Sequence, residues 1–212
     1  MKSEVGHKKL FIGCYNKSVI LTYIGAITSV YGMVTTKNIN IQMTCLIVAG
    51  ICDMFDGTIA RMCKRTDIEK KFGVQIDSLA DIISFGVFPV VIFVNIVDIN
   101  IISLAVSGLF ILSGVTRLAW FNILTEDKST DRRYFTGLPI TASALFVPLC
   151  NAILSMLNAN KMTCVIVNYV IFILILICYV LNIKIKKPTG KTYILFSLLA
   201  ILAIGWFTYD YL

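Results

Sequence analysis

The sequence is poor in charged residues and contains a single histidine. Charged residues make up 15% of the 212 residues, whereas about 25% is usual in a soluble domain, and 58% are apolar. The histidine is His7, and the seven cysteines stand singly, with no CxxC pair. Neither a zinc site nor a disulfide framework is expected, because the clustered ligands or regularly spaced cysteines they need are missing. The composition indicates a membrane protein and argues against an ordinary soluble domain.

Long apolar runs fill most of the chain. A membrane-spanning helix needs about 20 mostly apolar residues, and seven stretches meet that requirement. They are Ser18–Thr36, Ile41–Arg61, Phe72–Val97, Ile101–Leu124, Leu138–Leu157, Thr163–Ile183 and Thr192–Tyr211. The sequence therefore predicts an all-α, polytopic transmembrane helical bundle of about seven spans, with residues 18–212 as one domain. Residues 1–17 mix lysines with apolar side chains and are expected to form an amphipathic segment on the membrane surface.

The basic residues fall almost entirely on one side of such a bundle. If seven helices cross the membrane, sixteen of the nineteen Lys and Arg residues share a side, and only Lys37 and Lys161 lie on the other. The remaining one, Arg117, lies inside the fourth span. This bias predicts a multi-pass protein of the cell membrane with its basic side in the cytoplasm. The net charge of +7 then reflects topology and attraction to anionic lipid, so no nucleic-acid partner is expected.

Four aspartates interrupt the second and third apolar runs, although a charge inside a bilayer costs at least about 2.5–3.5 kcal/mol. Asp53 and Asp56 are three residues apart, and Asp77 and Asp81 are four apart, so each pair shares one helix face. The two helices are consecutive and antiparallel, and the two pairs lie at matched depths from the loop that joins them. All four carboxylates are therefore expected to meet just inside the cytoplasmic ends of the two helices.

Four carboxylates in one place repel one another strongly unless cations lie between them. Mg²⁺ and Mn²⁺ prefer oxygen ligands, and four carboxylates are enough for a site with two divalent cations. Small residues surround the aspartates and leave room for a phosphate group, which Arg61 and Arg117 are placed to contact. The residues alone also fit a divalent-cation transporter with an acidic site inside the membrane.

The aspartates belong to a longer pattern of eight fixed positions. It consists of Asp53-x-x-Asp56-Gly57-x-x-Ala60-Arg61, eleven further residues, and Gly73-x-x-x-Asp77-x-x-x-Asp81. This pattern resembles the signature of the CDP-alcohol phosphatidyltransferase family. Stretches 72–89, 113–122 and 134–142 are similar to bacterial members of the family that use serine as the acceptor. The chain departs from the family at 18–22, where SVILT replaces the usual Pro-Asn, and at Trp120, where close relatives often have a second Arg.

The resemblance implies an enzyme that transfers the phosphatidyl group of CDP-diacylglycerol to L-serine and releases phosphatidylserine and CMP. It implies that the four aspartates hold two divalent cations, Mg²⁺ or Mn²⁺, and that Asp81 is also the general base. It further implies a homodimer embedded in membrane lipid. The residues that it places against CDP-diacylglycerol are Asp53, Gly57, Ala60 and Arg61.

The acceptor is less well determined than the chemistry. Glycerol 3-phosphate or an inositol phosphate would react in the same way as serine, and no residue pattern identifies a serine pocket. The candidates for residues next to the serine are Arg132, Arg133 and Thr136.

Overall fold

Seven helices make up most of the computed structural model, which describes residues 12–126, 134–186 and 190–211. They are α1 (Lys17–Thr35), α2 (Ile39–Met62), α3 (Asp67–Val97), α4 (Ile101–Glu126), α5 (Ser143–Met156), α6 (Lys161–Val180) and α7 (Gly190–Tyr211). Helix α3 is continuous but contains a π-helical segment, Ile82–Val87, and a 3₁₀ turn, Ile140–Ala142, precedes α5. The all-α helical bundle predicted from the sequence is confirmed.

Five of the described helices, α1, α2, α3, α4 and α6, are long and apolar enough to cross a membrane. The 3₁₀ turn with α5 (Ile140–Met156) and the Ser197–Tyr209 part of α7 are also apolar but shorter. The protein is therefore a multi-pass membrane protein, and its helix count agrees roughly with the seven predicted spans.

Contacts between connecting segments show which helix ends lie together. Strand β1 (Tyr134–Thr136), between α4 and α5, pairs antiparallel with β2 (Lys184–Lys186), between α6 and α7. On the opposite side, Lys161 Nζ lies 3.2 Å from Asp98 Oδ2 and joins the start of α6 to the end of α3. The connections on either side of α4 and α6 thus lie on two opposite sides of the bundle, as expected for helices that cross it in alternating directions.

Close packing brings α1 against the face of α2 that carries the aspartates. A Cβ atom at Gly25 would lie 3.1 Å from Cys52 Cβ, and one at Gly32 would lie 3.0 Å from Cys45 Cβ. The fully buried Gln42 of α2 donates its side-chain N–H to Gly32 O at 3.2 Å. Small residues allow helix axes to approach this closely, and the approach puts the first two turns of α1 beside the candidate site.

Helix α3 begins at Asp67, five residues before the expected Phe72. The Thr66 hydroxyl accepts the Glu69 N–H, and the Glu69 carboxylate accepts the Thr66 N–H at 2.8 Å. This reciprocal pair is a capping box, which starts a helix in polar sequence. A search for apolar runs misses this start, because the first turn of α3 is charged.

Helix α5 begins at Ser143, later than the expected Leu138, because the chain before it turns against the end of α6. Gly137 has a φ of 76°, and its N–H donates to Ile183 O at 2.8 Å. The Leu138 N–H donates to Cys178 O at 3.0 Å. A Cβ atom at Gly137 would lie 2.9 Å from Tyr179 O, so only glycine fits this turn against the end of α6.

Candidate active site

Three aspartates meet between α2 and α3, near the helix ends that the loop 63–66 joins. One carboxylate oxygen from each of Asp53, Asp56 and Asp77 lies within 4.8 Å of the other two. We refer to these three residues as the carboxylate cluster. Asp53 and Asp56 come from adjacent turns of α2, and Asp77 comes from the facing turn of α3. Three converging carboxylates form the kind of oxygen ligand set that hard divalent cations bind.

Asp81 lies one turn further along α3 and adjoins the cluster. It is buried, with 8% of its surface exposed, and its carboxyl interacts with that of Asp53. It also lines a small cavity together with Asp53, Asp56 and Ser84. The structure thus brings all four aspartates to one place, with Asp81 at the end further from the loop.

Thr22 of α1 also belongs to the site, although it was not among the residues expected there. Its hydroxyl donates to Asp56 Oδ2 at 2.5 Å, and both side chains are buried. A hydrogen bond of this kind fixes the orientation of a carboxylate that binds a metal. The sequence signal was a threonine within the 18–22 stretch that departs from the family. Its partner on α2 became identifiable only once the packing of α1 on α2 was known.

Thr22→Val is expected to weaken Mn²⁺ binding about tenfold, at the low end of the ~10–100-fold losses seen when a hydrogen bond behind a metal ligand is removed. Valine has nearly the same shape but cannot donate to Asp56. The free Mn²⁺ signal in electron paramagnetic resonance measures the affinity. Thr28→Val is the matched control, because the Thr28 hydroxyl donates only to Ile24 O of its own helix. Unchanged affinity in Thr22→Val, or an equal loss in both variants, would contradict a role for Thr22.

Gly57, Ala60 and Arg61 follow the carboxylate cluster on α2. Nothing lies within 4 Å of a Cβ atom placed at Gly57, so the helix face is open there. Ala60 is half-buried, and Arg61 is exposed, with its Nη2 donating to Thr58 Oγ1 at 3.1 Å. The cluster therefore has an open, basic approach on one side, which suits an anionic substrate group.

Arg117 approaches the site from α4, at the end where Asp81 lies. Its side chain is 6% exposed, and its Nε donates to Leu138 O at 2.8 Å. The guanidinium carbon lies 4.8 Å from the centroid of the Phe121 ring. Asp81 interacts with it electrostatically. The two predicted arginines thus occupy different parts of the site, Arg61 at its open side and Arg117 beside Asp81.

Some of the predicted features lie outside the described residues. These are Arg132, Arg133 and residues 1–11 of the expected amphipathic segment. Thr136 is described only through its backbone, in β1.

Comparison with known proteins connects this geometry to one family. The sequence model of the CDP-alcohol phosphatidyltransferase family matches residues 16–183, which include all four aspartates. A CDP-diacylglycerol–serine O-phosphatidyltransferase of Helicobacter pylori is 46% identical over 112 residues, which are 51% of this chain and 45% of that protein. The protein of the same name from Methanocaldococcus jannaschii is 35% identical over 156 residues, 73% of this chain and 68% of that protein.

An archaetidylserine synthase of Methanothermobacter thermautotrophicus is 36% identical over 126 residues, 59% of this chain and 50% of that protein. The chain thus spans about half the length of the Helicobacter and Methanothermobacter relatives and two thirds of the Methanocaldococcus one. The family match covers well over half of the chain and contains the whole carboxylate cluster. On this evidence, the chain belongs to the CDP-alcohol phosphatidyltransferase family.

Proposed function

We propose that this protein transfers the phosphatidyl group of CDP-diacylglycerol to L-serine, forming phosphatidylserine and CMP. The observation that carries the proposal is the convergence of Asp53, Asp56 and Asp77, with Asp81 in contact, in a member of this family. Relatives named for serine transfer support serine as the acceptor. Neither another acceptor nor cation transport is favoured by these relatives.

The four aspartates are proposed to hold two divalent cations, Mg²⁺ or Mn²⁺. Asp53 and Asp77 would be shared ligands, with Asp56 completing one site and Asp81 the other. The donor set fits, because the carboxylate oxygens of Asp53, Asp56 and Asp77 lie within 4.8 Å of one another, which suits hard cations. When bound, such cations would offset the charge of the pyrophosphate and stabilise CMP as it leaves.

Asp81 is proposed to act as the general base. Its carboxylate would take the proton of the serine hydroxyl as the hydroxyl oxygen attacks the β-phosphorus of CDP-diacylglycerol. A phosphorus–oxygen bond to serine forms, and the phosphorus–oxygen bond to CMP breaks. Gly57, Ala60 and Arg61 would contact the CDP part along the open side. Arg117 would contact a phosphate or carboxylate of a substrate at the Asp81 end.

The site is proposed to lie on the cytoplasmic side of the cell membrane. The carboxylate cluster is near the helix ends that carry the basic segments, which are cytoplasmic in most membrane proteins. Serine and CMP could then exchange with water while the acyl chains stay in lipid. Labelling of Cys63, in the loop beside the cluster, from outside intact cells would contradict this orientation.

We also propose a homodimer, which the mass of the detergent-solubilised protein would test.

An acceptor panel tests the proposed reaction. CMP release from CDP-diacylglycerol is measured in Mn²⁺ with L-serine, glycerol 3-phosphate or inositol 1-phosphate. Serine is expected to react more than about tenfold faster than either alternative. Polar groups of a site that hydrogen-bond to the correct acceptor are left without partners when a different alcohol binds. Faster release with glycerol 3-phosphate would overturn the acceptor and leave the family chemistry intact. No release with any acceptor would overturn the reaction.

A further inference from the structure

Helix α3 changes its hydrogen-bonding pattern directly after Asp81. In the π-helical segment Ile82–Val87, bonds reach five residues back, as in the bond from the Phe88 N–H to Ile83 O. Such segments are rare and are frequently found at functional sites. This one carries Ser84, which lines the same cavity as Asp81. The hydrogen-bonding register of this segment therefore affects how Asp81 and Ser84 are oriented in the site.

Pro89 gives a physical reason for the irregularity. In a regular α-helix, the N–H of residue 89 would donate to Phe85 O, four residues earlier. Proline has no N–H, so Phe85 O loses that donor. Phe85 is buried, and a buried carbonyl needs a partner from elsewhere.

Ser143, at the start of α5, supplies the missing donor. It is fully buried, and its Oγ lies 3.0 Å from Phe85 O and 3.1 Å from Ile140 O. A hydroxyl has one hydrogen and donates to one acceptor at a time. Ile140 O already accepts the Tyr179 hydroxyl at 2.8 Å. Phe85 O has lost the N–H of residue 89, so the hydrogen of the Ser143 hydroxyl is assigned to Phe85 O.

The start of α5 is itself firmly held. A Cβ atom at Gly50 of α2 would lie 2.9 Å from Ala144 Cβ, so the two helices are in close contact beside Ser143. Upstream, Leu138 O accepts the Nε of Arg117, the residue that faces Asp81. The Ser143 hydroxyl is therefore offered to α3 from a fixed position.

We propose that Ser143 is a positioning residue for the transfer reaction. By donating to Phe85 O, it stabilises the π-helical register and so sets the orientation of Asp81 and Ser84 in the site. Ser143 acts through the backbone of α3 and does not itself touch the substrate. The inference rests on the proposed function, in which Asp81 takes the serine proton.

The first test compares Ser143→Ala with Ser29→Ala. Ser29 is also fully buried, but its hydroxyl donates to Gly25 O of its own helix. In Ser143→Ala, kcat with serine is expected to fall by about tenfold or more, since displacement of a reacting group by about 1 Å can cost ~10²-fold. KM for CDP-diacylglycerol is expected to change by less than about twofold, because the open binding face is untouched. Wild-type kcat per folded molecule, or an equal loss in Ser29→Ala, would overturn the proposal.

A second variant separates positioning from stability. Pro89→Ala in the Ser143→Ala background restores an N–H that can satisfy Phe85 O in α-helical register. Thermal stability is then expected to recover while kcat stays low, because the register has changed. Recovery of kcat together with stability would show that Ser143 is only structural and would overturn the proposal. Serine-dependent CMP release by the wild-type protein is measured in parallel, since its absence would overturn the proposed function instead.

Discussion

Asp81→Asn is expected to lower turnover by about 10²–10⁴-fold, the usual contribution of a general base, while CDP-diacylglycerol binding stays close to that of the wild type. Asparagine keeps the size of the side chain and one carbonyl oxygen, but it cannot take up the serine proton. Asp81 lies at the far end of the site from Gly57 and Arg61, where the CDP part is proposed to bind. The substitution should therefore affect the chemical step more than the affinity.

Turnover and CDP-diacylglycerol affinity are measured side by side in saturating Mn²⁺. Asp98→Asn is the matched control, because Asp98 is an exposed aspartate on the opposite side, where it pairs with Lys161. It is expected to leave both quantities unchanged. Near-normal turnover in Asp81→Asn would exclude Asp81 as the base and leave it, at most, a replaceable metal ligand.

Asp53→Asn is expected to abolish metal binding and CDP-diacylglycerol binding together and to reduce turnover by more than about 100-fold. This loss exceeds the ~10–100-fold cost of removing a residue that only hydrogen-bonds to a metal ligand. Asp53 is the central carboxylate, since it lies with Asp56 and Asp77 in the cluster and also contacts Asp81. Loss of Asp53 would therefore disrupt both proposed cation positions.

Removal of divalent cations should reproduce this loss in the wild-type protein. Activity is expected to disappear in excess chelator and to return when Mn²⁺ is added back, whereas added Mn²⁺ should not rescue Asp53→Asn. Full activity in excess chelator would rule out the metal-dependent mechanism. Tight Mn²⁺ binding by Asp53→Asn would show that the cluster does not hold the cations as proposed.

The carboxylates of the site could be predicted because helix geometry is regular. Spacings of three and four residues put Asp53 with Asp56 and Asp77 with Asp81 on single faces, and a short loop makes those faces meet. The structure refines this prediction. Three carboxylates lie within 4.8 Å of one another, and Asp81 adjoins them through Asp53.

Residues that act across helices could not be predicted in the same way. The bond from Thr22 to Asp56 depends on how closely α1 approaches α2. The bond from Ser143 to Phe85 O depends on a π-helical segment whose only sequence trace is Pro89 within an apolar run. The two residues of each pair lie 34 and 58 residues apart along the chain, and local sequence patterns do not show which distant residues will meet.

Helix boundaries, too, could be predicted only in part from the sequence. Apolar runs located all seven helices, but they missed the polar start of α3 at Asp67 and the delayed start of α5 at Ser143. A capping box on Thr66 sets the start at Asp67, and its residues can be identified in the sequence once side-chain capping is considered. Contacts of Gly137 with the end of α6 accompany the second, and they exist only in the folded bundle.

The most direct test of the account asks whether the protein uses divalent cations for catalysis or moves them. Protein is reconstituted into vesicles that contain CDP-diacylglycerol, and L-serine and Mn²⁺ are added. Phosphatidylserine and CMP are quantified by mass spectrometry, and Mn²⁺ entry is followed with a dye inside the vesicles. Equimolar phosphatidylserine and CMP that depend on Mn²⁺ are expected, with no more Mn²⁺ entry than in protein-free vesicles. Mn²⁺ entry without either product would contradict it.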